Sequence, residues 1–183
     1  MEHDNGLVVL DTMASSSDDN SRPSVSHNET VALAVKRPVF YLAHPFKKRD
    51  EVRSLYQPRL TAIVDVVNPF DRPEQSTYED ALAGQGLTAK MCREIVETDL
   101  SAIDHTDGLL ALLLADNSIG AFMEIMHVVE QNQRGRKPSP IFAYTPRSNE
   151  REHPWIRSLT TVCPTWISLE ANIMAWCNAQ RQP

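Results

Sequence analysis

One run constrains the fold more than any other. From Gly108 to Leu114 the chain reads Gly-Leu-Leu-Ala-Leu-Leu-Leu, bounded by polar residues on both sides. A short apolar run of this kind fits a strand covered on both faces of a sheet. Ala115 to Ser118 breaks the run. A helical period begins at Ile119, with Phe122, Ile125, Met126 and Val129 on one stripe, so the unit is a strand, a tight loop and a helix. In open α/β sheets ligands sit beyond the carboxyl ends of strands, and the free N–H groups that open the next helix favour an anion. On this helix Glu124 lies about 200° round from Phe122, off the stripe with Gly120 and His127, where a solvated face is the plain reading. Ser118 is expected to cap the helix.

The rest of the chain repeats the unit. Pro38 to Ala43 reads as a first strand, and His44-Pro-Phe-Lys-Lys-Arg49 as a turn leading into a helix over Asp50 to Ile63, which Pro58 kinks or restarts. Val64 to Val67 is a short strand closed by Asn68-Pro69-Phe70, and Asp71 to Gly86 is a long polar loop suited to a lid or pocket wall. From Leu87 to Asp104 the helical period returns with Cys92, Ile95, Val96, Leu100 and Ile103, and Asp99 falls on that same stripe. An acid facing inward is costly unless it is paired or functional. Asp107, just before its strand, reads as a turn residue at the wrong edge of the sheet for catalysis. Pro140 to Tyr144 is a fourth strand, Thr145 to Trp155 a polar loop at its end, and Thr160 to Val162 a short fifth strand. Ser168 is expected to cap a closing helix that carries Leu169, Ile173, Met174 and Trp176. Strands alternating with helices predict a doubly wound α/β fold: a mostly parallel sheet of about five strands with helices on both faces, flavodoxin- or Rossmann-like.

Composition narrows the function. A chain of 183 residues suits one domain, placed here at 37–183. The serine-rich, polar residues 1–36 cannot bury enough apolar surface to offset their ordering and are expected to form a disordered tail. A net charge of −6 argues against a nucleic-acid polymer as partner, while small anionic ligands stay open. Cys92, Cys163 and Cys177 are odd in number and widely spaced, which indicates neither a disulfide framework nor a zinc site. Apolar runs are too short for a membrane span, and Glu2, His3 and Asp4 do not open a signal peptide, so a soluble, cytoplasmic protein is expected.

Three motifs, Tyr-Leu-Ala-His-Pro-Phe (41–46), Ile-Val-Glu-Thr-Asp-Leu (95–100) and Ser-Ile-Gly-Ala-Phe-Met-Glu-Ile (118–125), stand in an order and spacing that resemble the nucleoside 2-deoxyribosyltransferase family over most of Val39 to Cys177. The resemblance implies cleavage of the bond between a base and C1′ of a sugar, with Glu124 as nucleophile and Asp99 as the second carboxylate that protonates or orients the base. Tyr41 would touch the sugar and the nucleophile, and Gly120 would let the helix start approach the ligand. His44, Phe46, Lys47, Arg49 and Asn68 complete the expected substrate contacts. No cofactor or metal is implied. The partner is a small nucleoside or nucleotide, and the family habit is a homo-oligomer in which a neighbouring subunit completes the site.

The family has two branches, transferases acting on free nucleosides and hydrolases acting on 5′-monophosphates. Six residues before the nucleophile the transferase has an acid and the hydrolase a serine. Ser118, together with Lys47 after Ala-His-Pro-Phe, favours the monophosphate N-glycosidase, although His44 stands where glycine is usual. Two rivals are a nucleotide-binding sensor without turnover, against which both Asp99 and Glu124 count, and a flavodoxin-like redox protein, which would need a Ser/Thr- and Gly-rich phosphate loop after the first strand.

Overall fold

The computed structural model describes residues 36–72, 86–115, 118–136 and 138–181, all within one compact unit, Val35–Pro183. The tail expected over 1–36, save Lys36, and most of the loop expected over 71–86 lie outside the described residues. Five strands form one sheet: β1 (Val39–Ala43), β2 (Asp65–Val67), β3 (Gly108–Leu112), β4 (Ile141–Tyr144) and β5 (Thr161–Cys163). Their order is β2-β1-β3-β4-β5 and every pairing is parallel. Chain direction reverses its walk across the sheet between β1 and β3, which makes the carboxyl ends of those two strands the switch point of a doubly wound fold.

Alternation along the strands divides the core in two. Phe40, Leu42, Leu110, Leu112 and Phe142 face α1 (49–61) and α6 (Trp166–Ala179), while Tyr41, Ala43, Leu109, Ala111 and Ala143 face α2 (Ala89–Asp104), α3 (Ile119–Gln133) and the short α5 (Pro154–Leu159). β3 is buried over its whole length, as its unbroken apolar run predicts. Its first residue must be glycine, because a Cβ at Gly108 would collide with the ring of Phe40 and with Pro140. Asp107 beside it is structural. Its carboxylate accepts from Val39 N at 2.9 Å while its own N–H donates to Val39 O at 2.6 Å, which ties β3 to β1 at the amino edge.

Several local expectations change. α1 is not one regular helix: Arg49–Glu51 runs through a π segment, Val52–Tyr56, into Gln57–Thr61, and Pro58, which has no N–H to give the ladder, follows just after the π segment. The loop expected over 145–155 contains α4 (Ser148–Arg151) and the start of α5, and Thr145 is fully buried there. α6 is capped by Thr165 rather than Ser168. The Thr165 hydroxyl accepts from Ser168 N and the Ser168 hydroxyl accepts from Thr165 N, so Ser168 is the third residue of a capping box. On α3 the inward stripe is Ala121, Ile125 and Val128, whereas Met126 turns outward. That rotation brings Glu124 from the expected solvated face to the edge of the core. Met174 on α6 and Val96 and Cys92 on α2 are likewise exposed rather than inward. No helix among the described residues is long and apolar enough to cross a membrane.

Candidate active site

Two strand-to-helix junctions meet at the switch point because β1 and β3 pair directly, with Tyr41 opposite Leu109 and Ala43 opposite Ala111. Beyond their carboxyl ends opens a cleft of about 610 Å³, a size suited to a small organic ligand. Its floor carries the opening of α3, with Ser118, Gly120 and Glu124. One wall is the β1 turn, with His44, Phe46 and Lys47, and the other is α2, with Asp99.

Tyr41 stands beneath the cleft. Its side chain is fully buried, and its hydroxyl donates to Glu124 Oε1 at 2.9 Å. Burial first, and then the neighbouring Glu124 and Asp99 carboxylates, push the phenol far above its usual range, so it stays a proton donor at every working pH. Burial also pushes Glu124 up to about 8; Asp99 adds to the rise, and the Tyr41 hydrogen bond and the Arg72 guanidinium oppose it. Asp99 is raised for the same first reason, again against Arg72 and Tyr41. Two acids facing one cleft with shifted protonation can divide attack and proton donation between them.

Ser118 is almost completely buried at the N-cap position of α3, but its hydroxyl donates to Ala115 O at 2.8 Å instead of accepting from the helix. Ser118, Ile119, Gly120 and Ala121 line the cleft, and the first N–H groups of a helix have no partner within it. At Gly120 a Cβ would meet nothing within 4 Å, so the protein's own packing does not demand glycine there. His44 is buried and packs edge-on to Phe70, with ring centroids 4.8 Å apart. Asn68 Nδ2 donates to Gln57 Oε1, and Asn68 Oδ1 accepts from Phe70 N and faces His44 Nε2 at 3.1 Å. Both ring nitrogens of His44 thus face acceptors, Nε2 the Asn68 amide oxygen and Nδ1 the Pro45 carbonyl at 3.3 Å, while burial lowers the affinity of the ring for a second proton.

The structure brings Tyr41, Asp99, Ser118, Gly120, Glu124, His44, Phe46 and Lys47 together in or directly beneath this cleft. It does not bring Asn68 or Arg49 to the cleft wall. Asn68 serves the His44 turn from behind, and Arg49 lies over the Phe46 ring at 4.3 Å. Sequence reasoning missed Arg72. It follows a short helical turn, Pro69–Asp71, after β2, and its Nη1 reaches within 3.6 Å of Asp99 Oδ1. A basic residue in a polar loop carries no periodicity, so nothing in its neighbourhood signals that its partner is on α2.

No family model matches this chain, and no curated protein matches it. Among solved structures, the 2-deoxyribosyltransferase from the psychrotolerant bacterium Bacillus psychrosaccharolyticus aligns with a TM-score of 0.52 and 16% sequence identity, over 74% of this chain and 95% of its own. At that identity the likeness establishes a shared fold, the doubly wound parallel α/β sheet described above.

Proposed function

We propose that the chain cleaves the N-glycosidic bond of (deoxy)nucleosides or their 5′-monophosphates through Glu124, acting best as a nucleoside 5′-monophosphate N-glycosidase. The observation that carries this reading is the Tyr41–Glu124 hydrogen bond at 2.9 Å beneath a cleft that Asp99 also faces. The structural likeness to a 2-deoxyribosyltransferase and the three sequence motifs support the same chemistry.

In the first step a Glu124 carboxylate oxygen bonds to C1′ as the C1′–N bond breaks; its electron pair leaves with the base, which takes a proton from Asp99. Tyr41 holds Glu124 in line and remains a phenol throughout. In the second step water attacks C1′, gives its proton to the Asp99 carboxylate and releases Glu124. The positive charge that develops on the sugar favours an anion at Glu124 in both steps.

The transferase reading differs only in the second step, where a free base replaces water. The 5′-phosphate is favoured by the α3 opening and by Lys47, which line the same cleft and both suit an anion. The reading extends to a homo-oligomer. Ile119 and Met123 on the cleft rim and Trp155 on α5 are 69%, 63% and 60% exposed, an apolar surface that a second copy would cover. Purified protein incubated with a panel of nucleosides and 5′-monophosphates, with and without an acceptor base, tests the proposal. Free base released from a monophosphate without acceptor supports it, and product formed only when an acceptor base is present overturns the hydrolase assignment.

A further inference from the structure

Asp99 and Glu124 line the cleft, and the Arg72 guanidinium reaches Asp99 from the loop after β2. Asp99 and Arg72 side chains are 17% and 20% exposed, and their closest approach, Nη1 to Oδ1, is 3.6 Å. That is an ion pair without a hydrogen bond. Among the described residues Arg72 Nη2 and Asp99 Oδ1 are both buried without a hydrogen-bond partner, and Arg72 Nη1 makes a long contact of 3.4 Å to Thr98 O. Buried groups left in this state are uncommon and call for a reason.

Charge supplies one. The groups that bear on Asp99 are Arg72 from the loop after β2, Tyr41 from β1 and Glu124 from α3; those that bear on Glu124 are Tyr41, Asp99 and Arg72. His44 and Lys47 line the same cleft. With Tyr41 a neutral phenol, one guanidinium is balanced by one carboxylate. If both acids ionised, the cluster would hold a net negative charge, and if both were protonated, an unbalanced positive one; either is costly away from water. We propose that Arg72 is a positioning residue that holds the Asp99–Glu124 pair to a single shared proton, the count the glycosidic reaction needs.

The loose geometry matters as much as the charge. A bidentate guanidinium–carboxylate pair would commit Asp99 to the anion. At 3.6 Å, with an unpartnered oxygen, Asp99 is free to alternate between an anion beside Arg72 and an acid facing the base. Burial raises both acids, so either can hold the shared proton. As C1′ becomes positive, the form with the anion on Glu124 and the proton on Asp99 is favoured. The two forms contain the same number of protons, so the pair titrates as a unit.

This inference rests on the proposed reaction, but its test does not. The probe is ¹³C-carboxyl NMR of the full chain titrated with acid and base, the Glu124 resonance being identified by its loss in Glu124→Gln. In Arg72→Met the Glu124 midpoint is expected to move to higher pH by about one unit or more, the usual reach of a nearby opposite charge, and in Arg72→Lys to return most of the way. On a monophosphate that is turned over, both limbs of the kcat/KM profile should move with it. A Glu124 midpoint that is the same in wild type and Arg72→Met overturns the inference whatever the activity. A shifted midpoint in a protein that cleaves no nucleotide upholds the charge role and refutes the reaction instead. Arg72→Lys guards against a Met variant that does not fold, since a Lys variant that keeps the wild-type midpoint while Arg72→Gln also keeps it rejects the inference in the same way.

Discussion

Phe40 and Tyr41 are neighbours on β1, both aromatic and both fully buried, yet they belong to different kinds of interior. Phe40 points to the α1 and α6 side, where its ring meets those of Phe142 at 6.0 Å and Trp176 at 5.3 Å and covers the bare Cα of Gly108. Charge meets that cluster at Trp166, whose ring Arg59 covers at 5.0 Å and whose Nε1 donates to Glu170 Oε1. Tyr41 points the other way and spends its hydroxyl on Glu124. One face of the sheet is closed by dispersion and apolar burial. The other accepts two buried acids and a guanidinium, groups that burial alone would not select. A single strand thus divides stability from chemistry by side-chain alternation alone, and substitutions on its two faces should fail in different ways.

The largest contrast is between Glu124 and Phe40. Glu124→Ala should reduce base release by at least about 10³-fold, the scale for removing a nucleophile, with the folded state intact; steady-state assay and circular dichroism read the two effects separately. Glu124→Gln should go further and stabilise the protein at alkaline pH. The folded value near 8 lies above the ordinary 4.5, so the unfolded chain ionises first. Stability falls as pH rises from about 4.5 to 8, and the penalty is fully present above 8, on the order of a few kcal/mol. Gln removes the ionisation while it can still accept the Tyr41 hydrogen bond, so its thermal unfolding midpoint should exceed that of the wild type at pH 9 and match it near pH 4. A lower midpoint at pH 9 would refute the assignment of strain to Glu124. Phe40→Ala should do the opposite: about 3–5 kcal/mol of stability lost in urea unfolding, with activity per folded molecule little changed.

Asp99 comes next in size. Asp99→Asn keeps volume and hydrogen bonding but removes the exchangeable proton, and the rate of base release should fall by at least about 10²-fold. The same variant should fold, because Asn keeps the shape and hydrogen-bonding capacity of Asp99 and Glu124 can carry the anion that balances Arg72. A loss of only a few-fold, measured on folded protein, would return Asp99 to the stabilising side of the comparison.

The apolar face was the more legible in sequence. The run Gly108–Leu114, the β-branched and aromatic segments of β1 and β4 and the alternation of strand and helix sufficed for a parallel α/β sheet, because each follows from local periodicity. The pairing of β1 with β3 did not; it is a non-local choice, consistent with the sequence but not encoded in any one segment. Local chemistry also misled where two residues compete for one task. Thr165 and Ser168 both suit a helix start, and only the reciprocal bonds reveal which is the cap. Met126 fits the α3 stripe by period, but Ala121 and Val128 take the core because a small residue lets the helix approach the sheet. On the chemical face, Asp99 was legible as an acid on an apolar stripe. Tyr41 and Glu124 were legible through motifs, while Arg72 had no signal because its meaning lies in a contact across the fold.

The smallest predicted effect concerns the anion end of the cleft, where the comparison is between packing space and binding space. Gly120 has open room around it, and alanine is the better helix former by about 0.5–1 kcal/mol. Gly120→Ala should therefore leave the fold as stable as before or slightly more so. If the α3 opening and Lys47 hold a 5′-phosphate, the new methyl and the lost charge in Lys47→Met should each raise KM for a monophosphate and leave KM for the matching nucleoside nearly unchanged. A charge-assisted hydrogen bond contributes about 1.5–3 kcal/mol, so the wild type should prefer the monophosphate by roughly tenfold or more in kcat/KM. The Lys47 variant should lose most of that preference. Ser118 adds a finer test, since its hydroxyl already donates to Ala115 O at 2.8 Å. Ser118→Ala should cost less than Lys47→Met if the backbone N–H groups rather than the hydroxyl meet the phosphate. Equal kcat/KM for nucleoside and monophosphate in the wild type, with transfer to an added free base, would remove the phosphate from the reaction and leave a base-exchanging enzyme.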